Sequence, residues 1–444
     1  MAQSNHTNEL KGNSEDTAGS STSTGTIKAA VGSSKLLKGA AILSLAAVIS
    51  KLIGTMQKIP LQNIAGDEVF GLYNATYPFY LFLIFLATAG IPTAIALLVA
   101  ERAAEGDHLG ARLVTKASVW VMLASGLLFF GFMYFGADLL ARFIGVAGTA
   151  SSLRSIAWAM ILVPVMSALR GHFQGYQDMI PSAVSQVVEQ IVRVAMMVVL
   201  LLWLVHLQAS PERIAAGALF GSVAGAAAGL LIILYAWYKW SRRIRKDEEH
   251  NNKHKPSVGR SPLQAEHTGA LIRRIVRIAI PICLGTITVP LLNMVDTFTM
   301  PRLLHTVHLN TEEAMRQFGL FNHGQPLVQL VSMIAASVGA AIVPALSEAS
   351  GNATLARSRA QAAMQAAWLI GLPSAAGLAL TAQPVNVMLF TDAEGSFTMA
   401  VLGITALFST LAVISTSVLN GLGEIRGPAV AMLAAVAVKI IGNV

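Results

Sequence analysis

Charge is scarce in this sequence: Asp, Glu, Lys and Arg together make up 12% of its 444 residues, against about 25% in an ordinary soluble domain. Hydrophobic residues supply 54%, and that imbalance points to a surface that faces lipid. Cysteine is almost missing. The single Cys283 lies inside an apolar block, which excludes a disulfide framework and any Cys/His metal spacing and leaves a packing role. No Gly-x-x-x-x-Gly-Lys-Ser/Thr loop is present, so energy from bound ATP is not expected. Nor is there a His-Glu-x-x-His, a Gly-x-Ser-x-Gly elbow or a paired-carboxylate site, so an enzyme is not expected, and neither is a cofactor or a metal. Residues 1–34 are rich in Ser, Thr, Asn and Gly and lack both a foldable apolar content and the apolar core of a secretory signal. They read as a disordered tail ahead of a retained first helix.

What the sequence has in abundance is apolar blocks of about 20 residues, the length a helix needs to cross about 30 Å of hydrocarbon. Eleven spans are predicted, at 36–57, 72–100, 115–136, 154–170, 182–206, 214–238, 275–299, 326–347, 361–381, 398–420 and 428–444. The net charge of +8 does not describe a nucleic-acid binder, because the basic residues sit in short loops between the blocks rather than on one polar face. Their distribution favours a cytoplasmic N-terminus in a multi-pass membrane protein, with Lys51, Arg193 and Lys439 left inside helices.

A polar stretch at 239–274 reads as a cytoplasmic linker between a six-helix bundle at 35–238 and a second bundle at 275–444 that stops in its fifth helix. An offset of 247 residues relates the halves: Ala94, Ile95 and Glu101 recur as Ala341, Ile342 and Glu348, Arg112 as Arg359, and Pro181 as Pro428. The expected fold class is therefore an all-α polytopic membrane protein. Its two six-helix bundles are related as parallel repeats, the second incomplete, around a central cavity.

Ionisable residues at membrane depth cost about 2.5–3.5 kcal/mol each and mark function by default. Lys51 and Lys58 lie seven residues apart, two turns along one helical face, and either hold an anionic group or snorkel to headgroups. Glu189 and Arg193, four apart, form either an internal structural ion pair or a coupling site. Asp296 is a candidate for a cation or a proton, or an interfacial residue. Arg170 and Gln174 open the stretch Arg170-Gly171-His172-Phe173-Gln174-Gly175-Tyr176, a turn at the inner face and a candidate cytoplasmic gate. Gly217, Gly221, Gly225 and Gly229 leave one face of their helix smooth, where another helix can pack closely.

Several of these segments resemble the stage V sporulation protein B family of polysaccharide-biosynthesis membrane proteins. The likeness is carried by Ile-Pro-Leu-Gln-Asn-Ile-Ala-Gly-Asp-Glu from 59, Gly-Leu-Tyr from 71, Thr-Ala-Gly-Ile-Pro from 88, Arg-Gly-x-x-Gln-Gly from 170, Ser-Gln-Val-Val-Glu-Gln-Ile-Val-Arg from 185 and Asp-Thr-Phe from 296. The family belongs to the superfamily of multidrug, oligosaccharidyl-lipid and polysaccharide exporters and is related to lipid II flippases. The resemblance implies a flippase for a polyprenyl-diphosphate-linked saccharide in the bacterial cell membrane, working by alternating access, with membrane lipids and cell-wall synthesis enzymes as partners and no nucleic acid. In lipid II flippases cavity arginines serve the anion. Lys51 matches one of them and Lys58 falls within one position of a second, whereas Phe82 to Ile84 and Gly324-Gln325-Pro326 offer no arginine and His323 is the nearby substitute. The rival expectations are a cation-coupled multidrug exporter, relying on Glu189 or Asp296, and a scaffold for cell-wall or spore-cortex synthesis that does not transport.

Overall fold

The computed structural model describes residues 39–252 and 268–442 apart from single or paired positions at 40, 89, 287, 307–308, 350 and 425. The tail expected at 1–34 lies outside the described residues. Among those described, every regular element is a helix. Eight helical stretches are long and apolar enough to cross a membrane. One of them, Ala41–Ala104, takes in the expected span 72–100 and residues 41–57 of the span expected at 36–57, with Gly66 between the two. Those expected at 275–299 and 428–444 correspond to helices outside the eight.

Helix α1 covers residues 41–56 and continues through a turn at Gln57 into α2 (Lys58–Thr88). The segment 59–65, which falls between two predicted spans, is helical. The reversal is made by one residue, Gly66, whose φ of +82° belongs to a region that side chains with a Cβ avoid. The chain then runs back through α2 into α3 (Ile91–Ala104), and Pro92 sits in the first turn of α3, where its missing N–H costs no helical hydrogen bond. The side chain of Asp107 accepts from the Gly110 N–H to cap α4 (His108–Phe135). Two short helices, α5 (Ala137–Ile144) and α6 (Thr149–Ala157), lead into α7 (Ala159–Gly175), and α8 (Met179–His206) follows.

Helix α9 (Pro211–Asn252) runs on past residue 238, where the linker is expected to begin. It stays helical through residues 239–252, and the chain is helical again from α10 (Thr268–Thr286), so 253–267 alone of the expected linker lies outside the described residues. The Arg and Lys residues at the end of α9 are strong helix formers, which is why a polar composition there does not end the helix. The rest of the chain forms α11 (Thr288–Thr306), α12 (Thr311–Phe321), α13 (Gln325–Glu348), α14 (Ala353–Leu380), α15 (Ala382–Phe390), α16 (Ser396–Gly421) and α17 (Arg426–Gly442).

Within the first half the closest pairing is α8 against α9, and the glycine stripe explains it. A Cβ on Gly221 would stand 2.7 Å from the Arg193 carbonyl oxygen, and one on Gly225 2.5 Å from that of Glu189, so the two backbones meet with nothing between them. In the second half α13, α14 and α16 pack together around Ala335, Leu346, Ala363, Ala367 and Ile414. The halves join where α2 meets α11, α12 and α15, with Gly71 against the main chain of Met315 and Gly319 against that of Asp67. They join again where α10 lies on α3 and α4 through Leu271 and Ile275. Large apolar side chains such as Leu128, Phe135, Leu231, Leu369 and Phe408 remain exposed, as a lipid-facing surface requires.

Candidate substrate and coupling sites

The membrane-depth charges resolve into distinct groups. Glu189 of α8 is gripped from two sides. Arg193, one turn further along, donates to Oε1 at 2.8 Å, and Arg170 of α7 donates to Oε2 at 2.9 Å. Arg170 also donates from Nε and Nη2 to Ser185 Oγ, at 3.1 and 2.8 Å, and Ser185 in turn donates to the Gly229 carbonyl at 2.8 Å. Sequence spacing pairs Glu189 with Arg193 through the helical repeat; the fold adds Arg170, which the sequence assigns to a gate. Two guanidinium groups on one carboxylate leave a surplus positive charge beside the aromatic face of α2, where Arg193 Nη1 donates to Tyr77 Oη at 3.3 Å. Tyr77 stacks on Tyr73, their centroids 5.2 Å apart. Nearby polar atoms are not all satisfied: Arg193 Nε, Gln190 Nε2 and Gln57 Oε1 are buried without a hydrogen-bond partner among the described residues, an arrangement that commonly marks a site with a use.

Lys51 and Lys58 lie on the helical run that leads up to the Gly66 turn. Lys51 is exposed and Lys58 half-buried, and neither makes an ion pair among the described residues. Gln174 is half-buried in the last turn of α7, one turn from Arg170. Asp296 of α11 pairs with Lys439 of α17 at 2.8 Å, which gives a partner to a lysine that the sequence alone leaves without a role. In the second half, Arg357, Gln361 and Gln365 recur along one side of α14 and, with Trp368, line an open cleft of about 460 Å³.

The sequence offers His323 only as a substitute for an absent arginine, and the fold places it in a cluster that spacing does not reveal. His323, between α12 and α13, is fully buried. Its Nε2 lies 2.7 Å from Asp67 Oδ1 of α2, its Nδ1 lies 3.0 Å from Asn386 Oδ1 of α15, and its ring stacks on Phe390 at 4.2 Å. Gln62 Nε2 also donates to Asp67 Oδ1, at 3.0 Å. Asp67 and His323 are 256 positions apart, and no local periodicity links them.

In fold the chain is similar to solved transporters of the MOP superfamily. A MATE family multidrug resistance transporter of the MOP superfamily, solved in an inward-facing conformation, matches with a TM-score of 0.70 at 16% identity, over 90% of this chain and 88% of that one. An outward-facing conformation of such a transporter matches with a TM-score of 0.57, at 16% identity, over 89% of this chain and 84% of that one. More particularly, residues 36–350 match the model of the polysaccharide biosynthesis protein family, and the chain belongs to that family. Its relatives in Bacillus subtilis (strain 168) include the uncharacterized membrane protein YabM, 33% identical over 89% of this chain and 71% of that protein. The lipid II flippase MurJ is 27% identical over 89% and 74%. Stage V sporulation protein B is 29% identical over 68% and 56%, in keeping with the resemblance seen in the motifs.

Proposed function

We propose that this protein flips a polyprenyl-diphosphate-linked saccharide, lipid II or a related cell-envelope precursor, across the bacterial cell membrane by alternating access. The observation that carries the reading is the sign of the charge in the first half. Lys51, Lys58, Arg170 and Arg193 stand against the one carboxylate of this set, Glu189, and the two lysines have no anionic partner among the described residues. Such a surplus suits a diphosphate headgroup and repels a cationic drug. Kinship with a lipid II flippase supports the same reading. Lys51 and Lys58 neutralise the diphosphate, and the Arg170–Glu189–Arg193 group fixes the inner ends of α7 and α8 beside it, with Gln174 at the cytoplasmic gate. The N-terminus is cytoplasmic, the boundaries 35–238 and 275–444 delimit the two moving bundles, and the higher likeness to an inward-facing transporter supports a state open to the cytoplasm.

A cation-coupled multidrug exporter fits less well, because its candidate acids are occupied: Glu189 by two arginines and Asp296 by Lys439. The test is reconstitution of the protein in liposomes with fluorescent lipid II and related lipid-linked sugars. The expected result is inversion of the label that slows at least tenfold in Lys51→Ala and Lys58→Ala. Inversion at the rate of empty liposomes for every lipid-linked sugar tried would refute it.

A further inference from the structure

The surroundings of His323 determine how many protons it shares. The amide of Asn386 is oriented by its own donors, since Nδ2 donates to the Glu394 carbonyl at 2.7 Å and to Ser396 Oγ at 3.2 Å, and the Ser396 hydroxyl is spent on the Ala393 carbonyl at 2.6 Å. Asn386 therefore turns its carbonyl oxygen to the imidazole, and Nδ1 must carry a proton to meet it. That leaves Nε2 facing a carboxylate oxygen at 2.7 Å. Two acceptors at that distance repel, so a second proton lies between them, either on the imidazole as a cation or on the carboxyl group.

We propose that Asp67 and His323 form a proton-binding site whose occupancy holds the two halves of the transporter together at the end that carries the Gly66 turn. This rests on the alternating-access reading above and adds to it a ligand, the proton. The bond joins α2 to the α12–α13 turn and, through Asn386, to α15, and it sits where Gly319 and the Asp67 main chain touch. When the proton leaves, the Nε2 lone pair and the carboxylate confront each other across the seam, and the pair drives the halves apart instead of joining them. The charged neighbours do not supply a substitute. On α2, Glu68 adds negative charge and feels Glu312 of α12. On α12, Arg316 is engaged by Glu313 at 2.9 Å and by Glu394 of the α15–α16 turn at 2.7 Å, and Asp392 of that turn accepts from the Glu394 N–H.

The decisive variant is Asp67→Asn. An asparagine amide donates to a neutral Nε2 without any extra proton. Gln62 can turn over to meet the change, because its Oε1 is a buried acceptor with no partner among the described residues. Spin labels at Ala147→Cys and Ala393→Cys in a Cys283→Ser background, in lipid nanodiscs, report the separation across this end as the pH is raised from acid to alkaline. For otherwise native protein the ratio of short to long distances should fall by up to about tenfold per pH unit through the titration, one proton being lost. Asp67→Asn should keep the short distance at every pH, and His323→Ala should favour the long one throughout. A native distribution that does not change with pH, or an Asp67→Asn protein that titrates like the native one, would overturn the proposal. Because the readout is a distance, a protein that titrates as expected yet inverts no lipid would sink the flippase reading alone.

Discussion

Gly225 of α9 lies over the main-chain carbonyl of Glu189 in α8, where an added Cβ would stand 2.5 Å from the oxygen. The residue that two arginines compete for is thus seated against bare backbone. Gly225→Ala must push α8 away, and overpacking of this kind costs about 1–3 kcal/mol. The expected outcome is a lowered melting temperature in detergent together with slower lipid inversion. Gly217→Ala, whose Cβ meets the tip of the flexible Leu204 side chain rather than backbone, should cost less than half as much in the same assay.

Glu189→Gln removes the one negative charge that both Arg170 and Arg193 hold. Breaking a buried pair by deleting one partner costs about 3–5 kcal/mol, and here two cations lose their counter-charge together. Differential scanning calorimetry should show a large loss of stability. Arg170→Lys keeps the charge but cannot meet Ser185 Oγ and Glu189 Oε2 with one planar fork, so its defect should be intermediate.

Asp296→Asn and Lys439→Met should each destabilise the protein, and the double variant should recover part of the loss. A coupling energy of about 0.5–3 kcal/mol in a double-mutant cycle is expected for side chains in contact. An additive double variant would mean that the 2.8 Å contact of α11 with α17 contributes nothing.

Glu101→Gln provides a contrast. Its partner Arg274 lies 2.7 Å away, but the two side chains are 44% and 39% exposed. Exposed pairs contribute about 0–1 kcal/mol, so melting should barely move and the small change should vanish in high salt.

The spans were legible because hydrocarbon thickness imposes one length on every crossing helix, and the smooth face of α9 was legible because four glycines at helical spacing leave no doubt about where a neighbour fits. Contacts within one helix were legible too: Glu189 and Arg193 are one turn apart. What spacing cannot reach is the third partner. Arg170 arrives from α7, Lys439 reaches Asp296 across 143 positions, and Asp67 meets His323 across 256. The helicity of 59–65, between the spans predicted at 36–57 and 72–100, was not legible, because the chain reverses at a single residue, Gly66, with a positive φ. The length of α9 beyond residue 238 was not legible, because a drop in hydropathy marks the edge of the membrane and says nothing about the end of a helix.

That last point has a mechanical side. The 42 residues of α9 span about 63 Å at 1.5 Å each, about twice the hydrocarbon thickness. Arg242, stacked over the Tyr238 ring at 4.3 Å, falls within the polar end of the helix. The covalent tether between the halves therefore leaves from the tip of a stiff rod rather than from the bilayer surface. By leverage alone, a tilt of α9 about its packed part would be magnified at that tip, so small rotations of this helix become large displacements where the second half is attached.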